Sequence, residues 1–297
     1  MNNEEMVNTK ILCLVNCYKN EQEVINYCNM IYSLPDCEKI DVVININALS
    51  KDVELQAFHG EIHKITNNIY IYNSNKNLGY LNGMLYGYGR YCEERNNALE
   101  SLKWVIMSNT DIKIVNMNFV ELLLMHNRYS DDVACIAPQI RRLNPKGFEK
   151  HYQVRYKRSK LIILYIVNTI KVFSDIYSFL ASRRKIIEVN EDNQPKHIYE
   201  AHGSFFIIRY SIMSLLMAKK WPFLMYNEEA YISDLVYKTK HTEYYDPLLK
   251  IEHTGSTTTC FLPSKQKRKM LKLSYRFLLD IYSKNYWEDN TSVKTAK

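Results

Sequence analysis

An α/β protein with a mostly parallel central sheet flanked by helices is the fold class this sequence predicts, and three observations predict it. Short β-branched runs alternate with helical patterns at crossover spacing through the N-terminal third. Polar clusters follow those runs directly, where the carboxyl edge of a parallel sheet would lie. A length of 297 residues with 46% hydrophobic content suits one large domain with additions, and a 24% charged fraction is that of a folded chain.

Residues 10–15 are a short apolar run that reads as a buried strand. Residues 16–20 form a turn, after which Val24, Tyr27, Cys28 and Ile31 recur at helical spacing until Leu34-Pro35-Asp36 ends the pattern. Three further strand-like runs occupy 41–46, 68–72 and 104–107. Ligands of such sheets collect beyond the strand ends, so chemistry is expected in 16–20, 47–52, 73–83 and 108–111.

Residues 160–180 are densely apolar with basic flanks, but Asn168, Lys171, Ser174 and Asp175 interrupt them. A bilayer span needs about 20 apolar residues, so this stretch reads as an amphipathic helical excursion. A basic helix is expected over 264–282, and a disordered tail after Asp289. The organisation that follows is a main domain over 8–262, a helical insertion at about 155–186, a basic helical extension over 263–289 and a tail over 290–297.

The net charge of +7 is uneven: 141–160 holds eight Lys or Arg against one Glu, and 265–276 holds six against none, so the remainder is net acidic. A globally basic nucleic-acid binder distributes charge differently, and no nucleic-acid partner is expected. Local basic stretches suit an anionic membrane surface or acceptor. Seven scattered cysteines without a Cys-x-x-Cys pair read as buried thiols of a reducing compartment. The start Met1-Asn2-Asn3-Glu4-Glu5 has no basic region ahead of an apolar stretch, so a cytoplasmic location is expected.

Four clusters carry candidate chemistry. Asn75 to Gly83 sets Gly79 and Gly83 four residues apart between a strand and a helix, where backbone approaches a ligand closely. It is neither a Gly-x-Gly-x-x-Gly fingerprint nor a Walker loop, which argues against a dinucleotide oxidoreductase or a P-loop NTPase. Trp104 to Asp111 ends an apolar strand on a carboxylate, a hard oxygen ligand suited to a divalent cation shared with substrate phosphates. Glu228 and Glu229 open a helix after an aromatic segment, and a strand ends at His253. His59 and His63 do not fit a zinc motif, because the intervening Glu is misplaced and Gly60 weakens the helix.

In this order the clusters resemble the family 2 glycosyltransferases of the GT-A fold, particularly the rhamnosyltransferase-like bacterial branch of capsule and O-antigen assembly. The resemblance runs from about residue 10 to 259. Asn16-Cys17-Tyr18 is similar to the first-strand turn, Asn77-Leu78-Gly79-Tyr80 with Gly83 to the Asn-Leu-Gly-Tyr motif, and Asn109-Thr110-Asp111 to the Asp-x-Asp. The segment 201–209 resembles the acceptor side, Tyr226 to Glu229 the acidic pair, and Tyr245 to His253 the last strand.

The resemblance implies a GT-A nucleotide-diphospho-sugar transferase, inverting and hexosyl-transferring. Asn16, Tyr18, Asn47, Asn77, Gly79, Tyr80, Gly83 and Asn109 would bind the donor, and His202 and Gly203 would face a glycan or lipid-linked saccharide acceptor. Asp111, with His253, would hold Mg2+ or Mn2+. Glu229 would be the general base, with Glu228 its alternative. Peripheral attachment to the inner membrane leaflet follows from the basic flanks. Two departures stand out: Asn109 replaces the first acid of the Asp-x-Asp, and Asn47 stands where an aspartate usually holds the nucleoside. They keep a rival class open, a non-catalytic GT-A-like scaffold of a polysaccharide assembly complex. A nucleotidyltransferase would need a basic phosphate-gripping loop near the N-terminus, which Lys19 alone does not make.

Overall fold

A computed structural model describes residues 10–95, 101–144, 146–184, 191–255, 264–283 and 286. The expected tail over 290–297 and Cys260 lie outside the described residues. In chain order the first half comprises β1 (Lys10–Tyr18), α1 (Glu21–Tyr32), β2 (Ile40–Ala48), α2 (Leu55–His63), β3 (Ile69–Asn73), α3 (Tyr80–Glu94), β4 (Leu102–Ser108), β5 (Ile112–Ile114) and α4 (Phe119–Leu124). The second comprises β6 (Val133–Leu143), β7 (Lys146–Phe148), α5 (Arg158–Thr169), α6 (Lys171–Arg184), β8 (Lys196–Ile198), β9 (Phe205–Arg209), α7 (Tyr210–Ala218), α8 (Glu228–Lys238), β10 (Thr242–His253) and α9 (Ser264–Ser283).

One ten-stranded sheet runs β3-β2-β1-β4-β9-β6-β10-β5, with β7 beside β6 and β8 beside β10. The first four strands are parallel, joined by helical crossovers as the alternating sequence predicts. Beyond β4 the sheet is mixed: β9 is antiparallel to β4 and β6, while β6 and β10 are parallel. Side-chain alternation along β1 builds a core on each face. Leu12 and Leu14 join α3 and α7 on one side, and Ile11, Cys13 and Val15 join α1 on the other.

One crossing positions the site. The chain leaves β4 in mid-sheet at Ser108 and reaches edge strand β5 within four residues, carrying Asn109, Thr110 and Asp111 across the carboxyl edge. There β5 pairs with β10 so that Ile112 faces His253, and the Thr254 N–H donates to the Asp111 carbonyl at 3.0 Å. The excursion expected over 160–180 is two helices that break at Ile170. Leu161 and Leu164 of α5 are buried, and α5 packs on α9.

Candidate functional site

Asparagines build the floor of the site. Asn16 and Asn45 are register partners on β1 and β2. The Asn45 amide donates to Asn16 Oδ1 at 3.0 Å and to Asn47 Oδ1 at 3.1 Å. Asn16 donates to the Tyr80 carbonyl at 2.7 Å. Asn47 grips the glycine loop from both ends: its Oδ1 accepts from Leu78 N–H and its Nδ2 donates to the Gly79 carbonyl, each at 3.0 Å. An aspartate could not donate to that carbonyl, which gives a physical reason for the asparagine here.

The loop itself tolerates no bulk. Gly79 sits at φ 85°, and a Cβ there would fall 2.2 Å from the Leu224 carbonyl oxygen. At Gly83 a Cβ would fall 2.3 Å from Asn16 Oδ1, so this glycine lies behind the asparagines and lets α3 approach them. Asn77 Oδ1 accepts from Gly79 N–H at 2.9 Å, and Tyr80 N–H donates to the Leu224 carbonyl at 2.7 Å.

Asp111 and His253 meet at the end of β10. Their Oδ2 and Nε2 atoms are 3.4 Å apart, and His253 Nδ1 lies 3.6 Å from Glu149 Oε1. Asp111 Oδ2 and both His253 nitrogens are buried and lack a hydrogen bond of proper geometry. Burial disfavours the imidazolium, but the two carboxylates outweigh it and lift His253 to about 9. Burial likewise opposes charge on Glu149, yet His253, His202 and Arg142 overcome it and bring its carboxyl down to about 2. His202 Nε2 is 3.5 Å from Glu149, and its Nδ1 lies 2.9 Å from Ser204 Oγ.

The orphaned Asp111 Oδ2 and His253 Nε2 face each other, and an ion that displaced the Nε2 proton would meet an oxygen and a nitrogen ligand there, to be completed by water and substrate phosphates. No group of three or more such side chains suited to a metal forms among the described residues.

The carboxylate pair and Asp111 all act on the Tyr80 phenol. Tyr226 and Asn227, at φ 79° and 67°, are consecutive non-glycine residues in the left-handed region immediately before Glu228. Such backbone persists only where surroundings hold it, and here Asn227 Nδ2 donates to Ser274 Oγ of α9 at 2.6 Å. Glu228 is buried, with Oε1 unpartnered. Burial and the charge of Glu229 push the Glu228 carboxyl above its ordinary range, and burial does the same to Glu229. A Cβ on Gly203 would touch Glu229 Oε2 at 3.3 Å, so the glycine leaves room beside that oxygen. Tyr80 donates through its hydroxyl to the Gly203 carbonyl at 2.9 Å. Burial first, then Glu228, Glu229 and Asp111, raise its phenol.

A cavity of about 240 Å³ opens over the asparagines, lined by Asn16, Tyr18, Asn47, Asn77, Gly79, Tyr80, Asn109 and Asp111. Gly83, Glu228, Glu229, His202, Gly203 and His253 are not among its lining residues. Asn20 and Thr110, which fall within the segments 16–20 and 108–111 but carried no assigned role, also line it, as does Glu23, which the sequence did not single out. Asn20 Nδ2 donates to Thr110 Oγ1 at 2.8 Å and its Oδ1 accepts from Tyr18 N–H at 2.7 Å. Gln266 and Met270 of α9 close the wall opposite. Glu149 was also missed, and the basic run around it gave no signal of a half-buried carboxylate.

The described strands, helices and strand-edge cavity define a GT-A glycosyltransferase fold. A structure of GalNAc-T7 with UDP, GalNAc and Mn2+ superposes with a TM-score of 0.57 at 8% identity, over 87% of this chain and 45% of that one. The chain thus spans under half the length of that neighbour. The mannosyltransferase PcManGT from Pyrobaculum calidifontis, in complex with GDP-Man and Mn2+, gives 0.49 at 8% identity over 92% and 70% of the two chains. No protein-family model and no curated protein sequence matches the chain.

Proposed function

We propose that this protein is an inverting glycosyltransferase of the family 2 type, moving a hexosyl group from a nucleotide-diphosphate donor to a glycan or lipid-linked saccharide. Its setting would be surface polysaccharide assembly, in capsule or O-antigen synthesis, at the cytoplasmic face of a membrane. One observation carries the reading: the buried Tyr80 phenol feels the charges of Glu228, Glu229 and Asp111 together, which brings the acidic pair and the Asp111–His253 contact to one cavity at the strand edge. The fold shared with GalNAc-T7, solved with UDP, GalNAc and Mn2+, supports a nucleotide donor and a divalent ion here.

In this reaction the acceptor hydroxyl attacks C1 of the donor sugar as the bond from C1 to the diphosphate oxygen breaks. The nucleoside diphosphate leaves with the electron pair. Glu229 takes the hydroxyl proton, and its raised carboxyl pKa makes it a stronger base than an exposed glutamate. Gly203 leaves the acceptor space at that carboxylate. A Mg2+ or Mn2+ held by Asp111 and His253 would stabilise the charge that develops on the diphosphate. Tyr18, Asn77 and Asn109 would meet the nucleotide, while Asn16, Asn47, Gly79 and Gly83 hold the loop that receives it.

Titration calorimetry with UDP, GDP and dTDP, each with and without Mn2+, tests the donor site, and hydrolysis of the matching sugar nucleotides tests turnover. Binding strengthened by Mn2+ together with slow donor hydrolysis is expected. Absence of binding to all three nucleotides rejects the reading. Tight binding without turnover or transfer points to the scaffold class instead.

A further inference from the structure

We infer that the paired helices α5 and α6 form a face that seats the protein on an anionic phospholipid bilayer. This does not depend on the reaction proposed above. Ile163, Ile166, Val172, Phe173, Ile176 and Phe179 are 44–61% exposed, all within 17 consecutive residues. On α5 only Leu161, Leu164 and Asn168 are buried, and none of the described α6 side chains is. Scattered apolar residues are ordinary on a surface, but a run this dense marks a place where something docks.

Three features select lipid as the occupant. The helices have 12 and 14 residues, or about 18 and 21 Å at 1.5 Å per residue. Each is too short to cross a hydrocarbon core of about 30 Å, and no helix among the described residues is long and apolar enough to do so. Helices of this kind lie in the interface with the apolar face down.

The second feature is charge. Lys157, Arg158, Lys160 and Lys171 border the apolar residues against the single acid Asp175, and α9, packed on α5, adds Lys265, Lys267, Arg268, Lys269 and Lys272. Lys272 Nζ lies 5.9 Å from the Tyr165 ring where α9 packs on α5, beside the helix that carries this face. Lysines at such a border keep their stems on the apolar surface and their ammonium groups at the headgroups.

The third feature disfavours self-association. A twofold dimer through this face would set the same cationic border against itself, a like-charge juxtaposition that disfavours pairing. An anionic leaflet meets it with opposite charge. Because Gln266 and Met270 of the same helix line the cavity, a seated protein carries its site beside the lipid surface.

Flotation of the full chain with phosphatidylcholine vesicles, with and without phosphatidylglycerol, at low and high salt, tests this. Binding is expected only to phosphatidylglycerol vesicles at low salt, weakened about tenfold or more by high salt. A combined Ile163→Ser, Phe173→Ser, Ile176→Ser variant should lose flotation while melting at the wild-type temperature, because these side chains are exposed. Failure to float on anionic vesicles at low salt overturns the inference, as does undiminished flotation of the variant. A dimer detected by light scattering and broken by the same variant also overturns it, assigning the face to a second copy.

Discussion

His253 Nε2 and Asp111 Oδ2 lie 3.4 Å apart, both buried and neither in a hydrogen bond. The β10–β5 register that pairs His253 with Ile112 sets this distance, so the contact is fixed by the sheet and not by loop conformation. Asp111→Asn removes the full negative charge from the pair. Partners one step outside a metal's ligands are typically worth about 10- to 100-fold in affinity, and a ligand itself should be worth at least that. Calorimetry with Mn2+ in the presence of UDP should therefore show about a 100-fold loss in Asp111→Asn, and wild-type affinity there would remove Asp111 from the metal site.

Glu229→Gln separates chemistry from binding. A general base contributes about 10²- to 10⁴-fold to turnover and does nothing for a donor already bound. Turnover should fall in that range while the dissociation constant for the nucleoside diphosphate stays within about twofold. The same measurement on Glu228→Gln identifies the base. If Glu228→Gln is the more damaged while Glu229→Gln turns over normally, the roles are exchanged.

Much of the donor side was legible because its signals are local. The run at 10–15, the helical spacing through Ile31 and the glycines at 79 and 83 each specify a strand, a helix or a tight approach from neighbouring residues alone. What was illegible is contact across the sequence. Glu149 reaches His253 only because the β6–β7 hairpin returns its N–H to the Ile140 carbonyl at 2.9 Å. Asn20 meets Thr110 across 90 positions because β1 and β4 are neighbours in the sheet. The mixed half is illegible for another reason: β9 pairs antiparallel with both β4 and β6. Crossover spacing announces neither pairing.

Asn47→Asp puts the more usual acid of the resembled family into this chain, and it should do harm. The side chain is buried and donates to the Gly79 carbonyl at 3.0 Å. An aspartate would turn an oxygen toward that carbonyl and leave a buried charge without a cationic partner. The expected loss is about 3 kcal/mol of folding stability, read from urea denaturation. Unchanged stability would mean that the loop over 77–79 is held by Asn16 and Leu224 without Asn47.

Glu243 makes stability depend on pH in a direction opposite to most acids. Burial pushes its carboxyl up to about 7, against the opposing hydrogen bonds of Ser233, the Ala201 N–H and Cys135. An unfolded glutamate titrates near about 4.3, so the folded state binds the extra proton between those values. The resulting stabilisation is complete below the unfolded pKa and disappears as pH rises through 7. Over that whole window it amounts to about 4 kcal/mol. Other groups titrate in the same range: burial holds His151 down near 4, and burial with the charges of Glu229 and Glu243 raises Glu200. The informative quantity is therefore the difference between wild type and Glu243→Gln, whose amide does not titrate. Urea unfolding should show wild type losing stability relative to the variant from about pH 5 to about pH 8, by about 3 kcal/mol. Parallel curves would show that Glu243 is ionised in the folded protein across the whole range.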